Sequence, residues 1–164
     1  MKFLSSRINN FIDMVLKILI GMLIIMIAIL IIIILGRYFF AWGSVAIQEF
    51  VMYLHATIFM LGISYVCRDR SHVSIDIFSR NYSDNKRIKI SIFFDLIFLI
   101  PFSVFVIYIS LDMVFASWDI FEGSGESGGL DYVYLLKSLI PIAGILMFLS
   151  GISNLLDNFV KLKS

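Results

Sequence analysis

A chain of 164 residues that is 60% hydrophobic and 15% charged is unlike a soluble domain, which is roughly half apolar and about a quarter charged. It is also unlike a disordered chain, which needs low hydrophobicity and high net charge. A formal charge of +1 leaves no broad basic surface to neutralise phosphates, which argues against a nucleic-acid partner, and the single cysteine, Cys67, can form neither an internal disulfide nor a Cys-x-x-Cys pair.

Residues 1–13 place Phe3, Leu4, Ile8, Phe11 and Ile12 at helical spacing. They predict a short amphipathic lead-in on the cytoplasmic surface; the alternative is that they are simply the first turns of the helix that follows. A bilayer core about 30 Å thick needs roughly 20 mostly apolar residues to cross it. Residues 18–36 hold no Asp, Glu, Lys or Arg and predict a first span over 15–36. This run is too long for the apolar core of a signal peptide, and no small-x-small cleavage site follows it. Residues 50–67 are likewise charge-free and predict a second span over 49–67. A third, over 90–111, is interrupted by Asp95 and by Pro101; the proline is expected to kink it. Residues 138–156 give the fourth. The whole chain, 1–164, reads as one all-α integral membrane domain with four transmembrane helices.

Orientation follows the basic residues. Lys2, Arg7 and Lys17 precede the first span. Arg68, Arg70, Arg80, Lys86, Arg87 and Lys89 lie between the second and third, and Lys161 and Lys163 follow the fourth. The opposite side has only Arg37 and Lys137. Both termini are therefore expected in the cytoplasm. The two outer loops hold both tryptophans, Trp42 and Trp118, as anchors at the headgroup level.

Few residues offer chemistry. Gly123–Gly128 spells G-x-G-x-x-G, but a dinucleotide site needs a strand before it and a helix after it in a βαβ unit, and Glu122 and Glu126 would repel a pyrophosphate. It reads as a flexible turn. His55 lies inside the second span and His72 on the cytoplasmic side; their depths do not match, which disfavours a pair of axial haem ligands. Gln48, Met52 and His55 recur at i, i+4 and i+7, a polar stripe expected to face protein, with His55 as a hydrogen-bonded packing residue. Asp95 is the only carboxylate within a span and reads as a structural partner for nearby basic residues rather than an ion-coupling group. Gly144 and Gly151, seven residues apart, permit close approach of one neighbouring helix. Arg68, His72 and Asp76 form one polar face if residues 68–78 are helical; if they are extended, polar and apolar residues alternate. A carrier usually builds its site from repeats with broken helices at the midplane, and no such pair is visible.

These residues resemble the small membrane subunit of tripartite ATP-independent periplasmic (TRAP) transporters, the DctQ-like family, over roughly residues 10–155. The resemblance rests on Gly36-Arg37-Tyr38, Gln48-Glu49, Tyr53-Leu54-His55-Ala56, Phe59-Met60-Leu61-Gly62 and Ser71-His72-Val73-Ser74-Ile75-Asp76-Ile77-Phe78. It continues through Ser117-Trp118, Glu122-Gly123-Ser124, Gly128-Gly129-Leu130 and Leu135-Leu136-Lys137-Ser138-Leu139-Ile140-Pro141. Two departures stand out: Asp131, where relatives often have proline, and Leu149-Ser150-Gly151, where a glutamine often precedes the glycine. The resemblance implies a small permease subunit in the bacterial inner membrane. It would be a scaffold for a large many-spanning subunit that holds the substrate and sodium sites, fed by a periplasmic binding protein with solutes that commonly carry a carboxylate. It implies no cofactor and no catalysis in this chain. Arg37, Glu49, Arg68, His72, Asp76 and Lys137 are then expected to make intersubunit or loop-fixing contacts. The alternatives are a self-assembling four-span channel or exporter and a membrane electron carrier.

Overall fold

The computed structural model describes residues 2–69 and 83–163, and these residues are helical throughout apart from the connections. Five helical segments follow in order: α1 (Lys2–Phe40), α2 (Val45–Asp69), α3 (Asp84–Phe94), α4 (Ile100–Asp119) and α5 (Val133–Lys163). A π-helical turn, Asp95–Leu99, joins α3 to α4, so Asn85–Asp119 runs as one span and four helices are long and apolar enough to cross a membrane. Helices are the natural solution in lipid, where every backbone N–H and C=O must be bonded within the segment.

The helices outrun the spans expected from charge. With 39 residues, α1 is about 58 Å long at 1.5 Å per residue, roughly twice the hydrocarbon thickness. No break separates residues 2–13 from the span: in the structure they are the first turns of α1. Ser5, Ile12 and Leu19 are its buried residues, seven apart, the spacing of a seam between packed helices. At its far end the Trp42 N–H reaches back to the Gly36 carbonyl (3.0 Å) while Ala41 turns the chain at φ 49°. The Trp42 ring packs where a Gly36 side chain would be, 2.8 Å from an added Cβ.

Just before Pro101, where a kink is expected, the helix instead carries a π turn. Proline has no N–H, and its ring crowds the carbonyl four residues back. The chain widens there into the π turn, where the Ile100 N–H bonds the Asp95 carbonyl, a device that absorbs such a misfit in one turn.

The central helix is α5, which packs against α1, α2 and the α3–α4 span. Lipid removes the hydrophobic drive for association, so membrane helices pack through small residues, and that is the rule here. Ser103, Ser110 and Ser117 of α4 are 0%, 4% and 2% exposed. Ser103 and Ser110 donate to the Leu99 and Val106 carbonyls of their own helix, at 2.6 and 2.8 Å. On α5, Gly144 lies against the Ser103 carbonyl and Ile107, and Gly151 lies against Ile100 and Leu99; the close approach predicted from their spacing is the α4–α5 contact. Ser150 of α5 crosses to α2 and donates to the Ser64 carbonyl (2.8 Å). Large apolar side chains such as Ile24, Ile32, Phe105 and Ile109 are directed outward, as lipid requires.

Candidate functional site: polar clusters at the two ends and an outward polar stripe

Both termini lie at one end of the bundle, since Ser5 near the start of α1 meets Ser153 near the end of α5 (3.1 Å). Ser5 also donates to Asp157 (2.5 Å), and Ser153 donates to Asn9 (2.8 Å). One step inward, Arg68 at the end of α2 pairs with Asp13 of α1 (2.5 Å) and donates to the Asn9 carbonyl (2.8 Å). Its guanidinium also lies 5.0 Å from the centre of the Tyr65 ring. Asn154 of α5 completes the belt by donating to the Cys67 carbonyl (2.9 Å). Arg68 thus ties α2 to α1 within the chain, a helix-to-helix contact and not the intersubunit or loop-fixing one expected of it. Its partner Asp13 was not singled out from sequence, although it is the only carboxylate before Glu49.

At the opposite end Glu49, in the first turns of α2, reaches the α4–α5 loop. It accepts the Ser124 hydroxyl and the Leu130 N–H (2.6 Å), clasping the loop from both sides. This explains the bare backbone at Gly129, where an added Cβ would lie 2.8 Å from the Glu49 carboxylate. Gly128 turns the loop with φ +77°. A second clasp forms where Glu122 accepts from Lys137 of α5 and from Ser117 of α4 (2.6 Å). These bonds favour the charged carboxylate, Lys137 first and Ser117 next, and hold the Glu122 carboxyl below its ordinary range. Trp118 donates its indole N–H to Ser138 (2.8 Å) and meets Tyr134 edge-on at 4.7 Å. The G-x-G-x-x-G segment is therefore a turn held by two carboxylates. Glu49 and Lys137 are loop-fixing residues, and Glu122 joins them. The signal for Glu122 was its nearness to Lys137, the one lysine on that side.

Three other expected residues stand apart from these clusters. His55 is exposed on the outer face of α2, stacks on Phe59 (centroids 6.4 Å) and makes no hydrogen bond within the described residues. It is not the hydrogen-bonded packing residue expected, because the inward face of α2 is taken by Leu54 and Ser64. With Met52 and Phe59 it borders a groove of about 480 Å³ whose other wall is Leu136, Leu139 and Ile140 of α5. Asp95 is buried, 7% exposed, at the head of the π turn, and it is not free. Arg37 is exposed at the end of α1. Trp42 and Trp118 are 45% and 41% exposed, each near the end of a span. His72 and Asp76 lie outside the described residues. Among the described residues no group of three His, Cys, Asp or Glu side chains is placed to hold a metal ion.

The sequence matches the family described as "Tripartite ATP-independent periplasmic transporters, DctQ component" over residues 26–161. A search of curated proteins finds no match to the chain. The match spans both end clusters except Ser5, Asn9 and Asp13.

Proposed function

Because the chain belongs to the DctQ family of TRAP transporter components, we propose that it is the small permease subunit of a sodium-coupled importer and serves as the fixed scaffold of the large transport subunit. Its four apolar helices and its family support a multi-pass membrane protein that is one component of a tripartite transporter, alongside a large permease and a binding protein. The substrate and sodium sites belong to the large subunit. A periplasmic binding protein delivers the solute, a carboxylate-bearing compound, and the membrane is the bacterial inner membrane with both termini cytoplasmic.

The supporting observation is where polarity is spent. The bundle's buried serines bond main-chain carbonyls or neighbouring side chains of the bundle, and Asp13, Arg68, Glu49, Glu122 and Lys137 brace helix to helix or helix to loop. His55, a polar side chain of the second span with no hydrogen bond among the described residues, is exposed on the outer side of α2, beside the α2–α5 groove. A polar group facing lipid is costly and normally faces protein, so this face is where the large subunit packs. Replacing His55 by tryptophan, which overfills the groove, tests it. The large subunit is expected to be lost from affinity-purified complex while the chain stays in the membrane. Unchanged recovery of the large subunit and unchanged uptake would overturn the assignment of this face.

A further inference from the structure

A second groove, between α1 and α2 at the end away from the termini, has a different character. Leu30 and Ile33 of α1 face Val51 of α2 in its depth, and Arg37, Tyr38 and Gln48 stand at its mouth; the volume is about 350 Å³. Arg37 is exposed, and its guanidinium has no hydrogen bond or ion pair with the described residues. The carboxylate nearest in sequence on α2, Glu49, is already engaged by Ser124 and the Leu130 N–H. Trp42, packed on Gly36 beside Arg37, marks the headgroup level. From the mouth inward the wall runs from Arg37 to Leu30, seven residues or about 10 Å along the helix.

Charge and shape together identify the occupant. A guanidinium offers a planar fork of donors that fits phosphate oxygens, and here the fork sits at headgroup depth above an apolar trough directed toward the bilayer centre. The trough below Arg37 is walled by the apolar side chains of Leu30, Ile33, Ile34 and Val51, a lining that suits a hydrocarbon chain. We propose that the α1–α2 groove binds one glycerophospholipid of the leaflet opposite the termini, its phosphate on Arg37 between Tyr38 and Gln48 and an acyl chain along Leu30, Ile33 and Val51. This site does not depend on the transporter reading, since it uses only this chain and the bilayer.

The test is lipid retention by the full chain in its purified complex, stripped of lipid in detergent and read by native mass spectrometry. Three probes separate the sources: phosphatidylglycerol, diacylglycerol, which has the chains without the phosphate, and glycerol 3-phosphate, which has the phosphate without the chains. Phosphatidylglycerol is expected to bind at one per chain, diacylglycerol about tenfold more weakly, as losing one charge-assisted contact implies, and glycerol 3-phosphate at least as weakly, since it buries no acyl chain in the trough. Arg37→Gln should lower phosphatidylglycerol retention by a similar factor, Arg37→Lys should restore part of it, and Ile33→Trp, which fills the trough and leaves the cation, should also lower it. Three results would overturn the proposal. One is equal retention by the wild type, Arg37→Gln and Ile33→Trp. Another is equally tight binding of glycerol 3-phosphate, which means a free-anion site. The third is loss of the large subunit from Arg37→Gln with lipid unchanged, which means a protein carboxylate.

Discussion

Replacing Gly144 with alanine puts a methyl group 2.7 Å from Ile107 Cγ1, 3.3 Å from the Ile107 backbone nitrogen and 3.3 Å from the Ser103 carbonyl oxygen. The side-chain contact can move aside; the two backbone contacts cannot, so α4 and α5 must separate by several tenths of an ångström. Overpacking of this kind costs about 1–3 kcal/mol, and here it also loosens the serine seam behind it. Two glycines serve as internal standards. At Gly151 an alanine would meet only side chains, 3.1 Å from Ile100 and 3.3 Å from Leu99, and should cost less. At Gly21 an added Cβ meets nothing within 4 Å, so alanine should be neutral or gain up to about 1 kcal/mol from helix propensity. The assay is loss of helicity during titration of detergent-solubilised protein with dodecyl sulfate. The expected order of stability is Gly21→Ala, then Gly151→Ala, then Gly144→Ala. A Gly144→Ala protein as stable as Gly21→Ala would refute the view that close backbone approach holds α4 on α5.

The Glu122 clasp should respond to acid. Its folded carboxyl lies below the ordinary 4.5, so its contribution is present above that value and is lost as pH falls through the lower folded value. Amide protection in residues 123–132, taken relative to the intrinsic exchange rate at each pH, should fall in acid in the wild type. In Glu122→Gln it should be low at every pH; protection that does not change with pH in the wild type would count against the clasp. At the other end, Arg68 and Asp13 should not be equivalent. The Asp13 side chain is 48% exposed and the Arg68 side chain 16%. Asp13→Ala should cost about 0–1 kcal/mol, as a half-exposed pair does. Arg68→Ala also loses the Asn9 carbonyl and the Tyr65 ring, and should cost about 1–3 kcal/mol in the same titration. Equal losses would mean that the ion pair alone matters.

How much of this was legible in the sequence depends on which physical signal each feature leaves. Gaps between charges located the four helices long and apolar enough to cross a membrane. They did not locate the helix ends, because a helix such as α1 continues past its charge-free run once it has a neighbour like α5 to pack on. Pro101 announced a distortion but not its form, since a proline is compatible with a bend, a break or a π turn. Gly144 and Gly151 were readable because small residues at heptad spacing have one main use between membrane helices. The direction of His55 was not. In a soluble helix the apolar stripe shows which side is inward; in lipid both sides are apolar, and the stripe of Gln48, Met52 and His55 fits an inward or an outward face equally. The Arg68–Asp13 pair was hidden because it joins residues 55 apart through an arrangement of helices that local spacing does not encode.

The central claim is that this chain braces a transporter without handling its cargo. The most direct measurement is sodium-driven solute uptake into liposomes holding this chain alone, the large subunit alone, or both, with the binding protein and solute supplied outside. No uptake above empty vesicles is expected from this chain alone, and full uptake is expected only with both subunits. Solute accumulation by vesicles containing this chain alone would contradict it.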